Sequence, residues 1–343
     1  MAVRLIGGFL VALAGAQLAL WLKLPLPWML GALLATAATR IAGVRTACAA
    51  PLRNAGQWVI GTSLGLYFTP QVVGHIGENA GAIVAGMLLA LLLCCLGSWL
   101  LQRLGGQDFQ TAWFASAIGG ASEMASLAER YGARIERVAT AHSLRVLMVV
   151  LIVPFAFQWS GIAGLDPTVP GPGRVHYPGL AWLVALTCLA AALFAWRRWP
   201  SPWVMGPLLC ALALTAQGIE LSALPPAFLN AGQLLVGWSL GDRYRPGFFR
   251  TAPRFLAVVM LYTLLSLGVA LALAWALSFF SPVPLPTLVL GTTPGGIAEM
   301  AITAKVLQLG VPVVTAFHVT RMVFVVMVTG PLYVYLSRRK SAS

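Results

Sequence analysis

Apolar residues come in long blocks along this chain, separated by short polar turns. Six blocks fill the first half, at roughly 5–22, 27–43, 54–69, 80–102, 109–129 and 138–157. Six more fill the second, at roughly 178–196, 202–218, 228–242, 253–280, 285–304 and 311–336. Residues 80–101 and 255–280 carry no charge at all. Each of these runs exceeds the roughly 20 residues that cross a bilayer core of about 30 Å. The blocks therefore predict membrane helices.

The two sets of six are copies of each other. Pro27-Trp28-Met29-Leu30-Gly31 recurs as Pro202-Trp203-Val204-Met205-Gly206, and Asn54-Ala55-Gly56-Gln57 as Asn230-Ala231-Gly232-Gln233. Gly61-Thr62-Ser63-Leu64-Gly65 recurs as Gly237-Trp238-Ser239-Leu240-Gly241. Gly119-Gly120-Ala121-Ser122-Glu123-Met124-Ala125 recurs as Gly295-Gly296-Ile297-Ala298-Glu299-Met300-Ala301, and His142 and Arg145 as His318 and Arg321. Ordered matches at an offset of 175–176 residues mark an internal duplication. The repeats span 1–160 and 178–338, joined by a linker at 161–177 that carries Pro167, Pro170, Gly171 and Pro172. The N-terminal block has a repeat counterpart at 178–196, so it reads as part of the fold and not as a cleaved signal peptide.

Composition sharpens this picture. The 343 residues are 59% hydrophobic and 9% charged, with a mean hydropathy of +0.86. An ordinary soluble domain carries about 25% charged residues. The formal charge of +13 would suggest nucleic acid in a soluble protein, but here the basic residues sit beside apolar blocks and form no separate basic domain. Cys48, Cys94, Cys95, Cys188 and Cys210 form no CxxC and read as small apolar residues.

The arginines decide the topology. If all six segments of each repeat cross, the repeats are parallel, and Arg197, Arg198, Arg243, Arg245, Arg250 and Arg254 fall outside. If the fifth segment enters and leaves on one side, each repeat has five crossings and the repeats are inverted. Those six residues then fall inside, with Arg40, Arg45, Arg53, Arg103, Arg130, Arg134, Arg137 and the tail Arg338-Arg339-Lys340. Only Lys23, Arg174 and Lys305 remain outside. Basic residues favour the cytoplasmic side. The expectation is an all-α polytopic inner-membrane protein with ten crossings, two re-entrant or broken Gly-Gly helices and both termini cytoplasmic.

The fifth segments carry the candidate chemistry. Thr292-Thr293-Pro294-Gly295-Gly296 should break a helix midway, and Ala117-Ile118-Gly119-Gly120 should do so more mildly. Helices restarting after Gly120 and Gly296 would place open N–H groups and positive dipole ends near the midplane. Paired interrupted segments in two repeats point to a transporter binding site. Glu123 and Glu299 follow each break by three residues. They fit a proton- or cation-sensing role, or a capping role in which Ser122 could assist. His142 with Arg145, and His318 with Arg321, share one helix face each. The arginines fit an anionic substrate or a structural pair, with Glu123 the candidate partner of Arg145. Asn54, Gln57, Asn230 and Gln233, with Ser63 and Ser239, give the third segments a polar face that lines a pathway or bonds between helices. Gly61 with Gly65, and Gly237 with Gly241, suit close helix packing. A site of His142, His318, Glu123 and Glu299 is the metal alternative. It lacks close ligand spacing, and no metal or other cofactor is expected. No nucleophile elbow, Walker loop or dinucleotide fingerprint occurs.

Taken together, PW-x-x-G, N-A-G-Q with G-x-S-L-G, G-G-x-x-E-M-A and H-x-x-R, each present twice, resemble the AbrB family of duplicated bacterial membrane proteins. The resemblance covers nearly the whole chain. It implies one of two labels that members carry, regulator of gene expression or ammonia monooxygenase, and neither label has a mechanism visible in these residues. The architecture is also similar to inverted-repeat symporters of the sodium/glutamate and citrate type, an analogy of fold. The leading expectation is a secondary transporter or exporter of a small metabolite, anionic in the narrower form of the reading, with lipid, a solute and a proton or cation as partners and a homodimer left open. The second is a membrane-embedded regulator acting indirectly, since its longest cytoplasmic stretch, Asp242–Arg254, is too short to contact DNA directly. The third is an oxidase-type membrane enzyme.

Overall fold

The computed structural model describes residues 2–70, 72, 77, 79–162, 164, 175–246 and 252–342. The predicted linker lies largely outside them. Fourteen helices and no strand occur among the described residues. In chain order they are α1 Ala2–Trp21, α2 Pro27–Ile41, α3 Ala50–Gly65, α4 Ala80–Arg103, α5 Phe109–Ser116, α6 Ala121–Arg130 and α7 Ile135–Ser160. The series continues with α8 Tyr177–Trp196, α9 Pro202–Ala216, α10 Pro226–Gly241, α11 Pro253–Leu277, α12 Leu285–Thr292, α13 Ile297–Val306 and α14 Val311–Ala342. Prolines in the first turn start many of them, where a missing N–H does no harm.

Among the described residues, six helices are long and apolar enough to cross a membrane: α1, α4, α7, α8, α11 and α14. This is the pattern of a multi-pass membrane protein. The other four helices expected to cross, α2, α3, α9 and α10, have only 15 or 16 residues. At 1.5 Å per residue they reach about 22–24 Å. They fall short of a full bilayer core unless their flanking turns contribute.

The chain divides into two compact units, and each draws on both repeats. One comprises Met1–Gly77, Leu151–Thr251 and Ala301–Pro312; the other comprises Glu78–Val150, Ala252–Met300 and Val313–Ser343.

The first unit is built around glycine contacts exchanged between the repeats. A Cβ on Gly61 would strike the carbonyl of Val204, and one on Gly65 would strike Leu208 O and Ala211. Reciprocally, a Cβ on Gly237 would strike the carbonyl of Met29, and one on Gly241 would strike Leu33 O and Thr36. Gly56 and Gly232 face each other's helices. The register rises together along each pair, so α3 runs parallel to α9, and α10 runs parallel to α2. Continuing that register, Arg40 Nε donates to Tyr244 O at 3.2 Å and lies 3.5 Å from Asp242. Asp242 also accepts from Thr46 Oγ1 and Cys48 N. Burial, with Asp242 adding repulsion, pushes the Cys48 thiol up to about 11.

Because these contacts are reciprocal, Gly61→Val and Gly237→Val should destabilise the protein alike, each by about 1–3 kcal/mol. Gly268→Ala, in α11 with nothing within 4 Å of its Cβ position, should be neutral or stabilising. Thermal unfolding in one detergent, read by tryptophan fluorescence, checks both outcomes.

Candidate functional site

Both predicted breaks lie in the second unit. The first interrupts α5 and α6 at Ala117–Gly120, and the second interrupts α12 and α13 at Thr293–Gly296. The halves before each break have 8 residues and those after it 10. The backbone leaves helix at Ala117 (φ −56°, ψ 134°) and at Thr293 (φ −54°, ψ 136°), and Gly120 is extended in the same way. None of the four glycines has a positive φ. The expected role of glycine as a permissive backbone residue is therefore not what these breaks use.

They use the space. A Cβ on Gly119 would meet Met124 at 2.8 Å, and one on Gly295 would meet Met300 at 2.6 Å. A Cβ on Gly120 would land on the Glu123 carboxylate, and one on Gly296 on the Glu299 carboxylate. The G-G-x-x-E-M motif is thus one packed object. Its first glycine receives the methionine, and its second lets the glutamate fold back over the start of the restarting helix, as a third-position glutamate does in a capping box. The side chain of Ser122 lies outside the described residues.

A broken helix leaves the last carbonyls of its first half without N–H partners. The H-x-x-R pairs supply them. Arg145 Nη1 donates to Ala117 O at 2.9 Å and Nη2 to Gly119 O at 3.4 Å. His142 Nε2 lies 3.0 Å from Phe114 O, and its Nδ1 lies 3.0 Å from Arg145 Nη2. The second repeat does the same. Arg321 Nη1 donates to Thr293 O at 2.7 Å and Nη2 to Gly295 O. His318 Nε2 lies 2.9 Å from Leu290 O and Nδ1 lies 2.7 Å from Arg321 Nη2. A carbonyl only accepts, so Nε2 carries the ring proton, and Nδ1 accepts from arginine. Both imidazoles are then neutral with both nitrogens committed. No group of three or more His, Cys, Asp or Glu that could hold a metal ion occurs among the described residues. The guanidinium sits at the negative end of its half-helix, where a cation is favoured. Its described bonds run to carbonyls and to histidine, not to the glutamate suggested by the sequence.

Two features give the breaks a residual polarity. Arg145 and Arg321 are 4% and 6% exposed, and the Nε of each has no hydrogen-bond partner among the described residues. The two cations also lie close enough to feel each other's charge.

The remaining candidates divide. Ser116 Oγ donates to Cys94 O, and its counterpart Thr292 Oγ1 donates to Ala270 O. Thr293 Oγ1 donates to Val289 O at 2.6 Å. Asn54, Gln57, Asn230 and Gln233 belong to the other unit. With its amide turned, Asn54 accepts from Trp203 Nε1 at 3.0 Å and donates to Ala50 O, which is the helix-bonding role. Lys305, also in that unit, donates to Ser63 Oγ at 3.2 Å and stands 5.5 Å over the Tyr67 ring.

The sequence did not single out the residues that make the breaks unequal. Tyr262 Oη donates to Ser116 O at 2.7 Å. The position one repeat earlier is Gly86, occupied instead by contact with the Phe317 ring. Around the first break, Trp113 Nε1 donates to Thr329 O, and Phe109, Trp113, Phe114, Tyr131 and Tyr333 pack ring on ring. The second repeat has Leu285, Val289, Leu290 and Leu307 where the first has Phe109, Trp113, Phe114 and Tyr131. The first break is pinned by side chains that the second lacks.

Comparison with known proteins agrees with the motifs. A family model described as "Transition state regulatory protein AbrB" matches residues 28–337. The chain is 25% identical over 359 residues to "Uncharacterized protein YhjN" of Bacillus subtilis (strain 168), covering 97% of this chain and 91% of that one. It is 25% identical over 312 residues to "Putative regulator AbrB" of Escherichia coli (strain K12), covering 90% and 89%.

Lysine cannot reach two carbonyls and a histidine at once. Arg145→Lys and Arg321→Lys should each cost about 2–4 kcal/mol in thermal unfolding, through carbonyls left unpaired. In hydrogen exchange read by mass spectrometry, peptides covering 292–298 should exchange about five- to tenfold faster than those covering 116–122, as expected for one missing bond and a looser surround. Tyr262→Phe should narrow that gap, and a gap unchanged by it would show that the tyrosine does not pin the break.

Proposed function

The chain belongs to the AbrB family, and from that premise we propose that it is a secondary transporter of a small anionic solute, with its binding site at the two helix breaks. One observation carries this reading. In one compact unit the same H-x-x-R clamp and the same folded-back glutamate hold two interrupted helices, at identical spacings in both repeats. Interrupted helices whose ends meet inside a membrane are the usual way to present backbone groups to a solute. The two buried arginines give that site a preference for anions, and Glu123 and Glu299 are the groups that sense a proton or cation.

The helix register supports an inverted arrangement of the repeats. Consecutive crossings α2 and α3 run in opposite directions. Since α10 runs with α2, it runs against α3, its own counterpart, as it must if the second repeat is upside down. Parallel repeats would make α10 run against α2. In this reading each repeat has five crossings, and the broken segments enter and leave on one side.

The family's regulator names fit a second reading, in which expression changes indirectly because a solute pool changes. An enzyme reading gains nothing from the site, because both histidines are committed to backbone and arginine.

Single cysteines at 105, 132, 164, 222 and 283 test the topology. Impermeant reagents should reach 105 and 132 from one side, and 164, 222 and 283 from the other; any other division rules out the inversion. Proteoliposomes loaded with a panel of small organic anions test transport. Flux should be saturable and should fall by at least about tenfold in Glu123→Gln with Glu299→Gln; no flux of any member, or unchanged flux in the variant, would count against the mechanism.

A further inference from the structure

Each restarting helix, α6 and α13, already has an anion at its N-terminal end. The Glu123 and Glu299 carboxylates lie in the space a Cβ would take on Gly120 and Gly296. That space adjoins the first-turn N–H groups and the positive dipole end, which is where an anionic solute would bind. The same breaks hold a second group that wants an acceptor. Arg145 and Arg321, over nine-tenths buried, place their guanidinium groups on the break carbonyls and leave Nε without a hydrogen-bond partner among the described residues.

Resting on the transporter reading, we propose that Glu123 and Glu299 are tethered competitors of the substrate, that the substrate is a small monocarboxylate, and that it moves in symport with protons. A site that holds a carboxylate side chain in both repeats has the shape and donors for another carboxylate. The charges then set the coupling. Two arginines and two glutamates sum to zero. A carboxylate entering that site would leave a net negative charge in a medium of low dielectric, beside another carboxylate. Taking up a proton on Glu123 or Glu299 removes the competing charge and frees the helix end. The step is proton binding to one carboxylate oxygen, with no other bond made or broken. Release on the far side returns the anion and the proton together. The titratable and charged groups facing the breaks are His142 and Arg145 from α7, His318 and Arg321 from α14, Cys94 from α4 and Tyr262 from α11. Glu129, Arg130 and Lys305 stand at the far ends of α6 and α13. The two histidines are held neutral by their bonds, and the Cys94 thiol and Tyr262 hydroxyl donate to Trp113 O and Ser116 O, so the proposal assigns the proton to the glutamates.

The test uses the full chain in lipid nanodiscs, with acetate, propionate and butyrate as probes and chloride at matched ionic strength as control. Thermal stabilisation by at least one probe should be about tenfold more sensitive to concentration at about pH 5.5 than at about pH 8. In Glu123→Gln with Glu299→Gln it should be the same at both. Stabilisation of the unaltered protein that is equal at both pH values would overturn the competition while leaving an anion site in place. Absence of any stabilisation, in either protein at either pH, would overturn the substrate class and, with no flux of any anion, the transporter reading too. If the double variant does not fold, proton uptake by the unaltered protein decides. Adding the stabilising probe to a weakly buffered suspension should draw protons from solution, and binding without uptake would refute the coupling.

Discussion

A backbone group buried in a packed interior has no water to turn to, so a helix that stops there must be finished by side chains. Everything at the centre of this protein follows from that constraint. Stopping after Ser116 and Thr292 strands carbonyls on one side of each gap and N–H groups on the other. The carbonyl side is met by a cation, since Arg145 and Arg321 each bridge two break carbonyls and lean on a histidine that takes a third. The N–H side is met by a carboxylate folded over a glycine. Each gap therefore carries its own pair of opposite charges, matched to the two opposed dipole ends it creates.

This explains why histidine and arginine travel together three residues apart in both repeats. The histidine is not a proton carrier in waiting. Its Nε2 proton is fixed on a carbonyl, so its Nδ1 lone pair must face the guanidinium, and that bond sets the arginine at the gap. Neither residue could do this alone. Arginine without histidine would leave Phe114 O or Leu290 O open, and histidine without arginine would leave the two carbonyls beyond it open.

Much of this was legible in the sequence, because duplication acts as its own control. The breaks, the glutamates and the H-x-x-R pairs could be placed on paper by finding each twice. What the sequence hid were the contacts that the repeats do not share. Tyr262 reaches across 146 residues to Ser116 O, and its counterpart is Gly86, so no repeat match marks it. The aromatic group around Tyr131 and Tyr333 is hidden for the same reason. The role of Gly-Gly was misjudged because a glycine pair invites an argument from backbone freedom, and the sequence does not say that Met124 and Glu123 fill the space where side chains would be. α2 and α9 were also drawn two residues too long, at 27–43 and 202–218, since apolar blocks run on through the turns that end helices.

The inequality of the two breaks bears on how such a protein could work. A site that binds and releases must be held firmly somewhere and loosely somewhere else. The carbonyl sides are firm, because arginine makes charged bonds to the break carbonyls. The N–H sides are held instead by a carboxylate folded over a glycine. Between the two gaps, the first has Tyr262, Trp113 and a stack of rings around it, and the second has Gly86 in place of the tyrosine and leucine and valine in place of Phe109, Trp113, Phe114 and Tyr131. At Thr293-Pro294-Gly295 the side-chain bonds described to the break carbonyls come from Arg321, whereas at the first break Tyr262 adds a bond to Ser116 O. In the transporter reading, the second gap is then the moving half of a duplicated site and the first its fixed half.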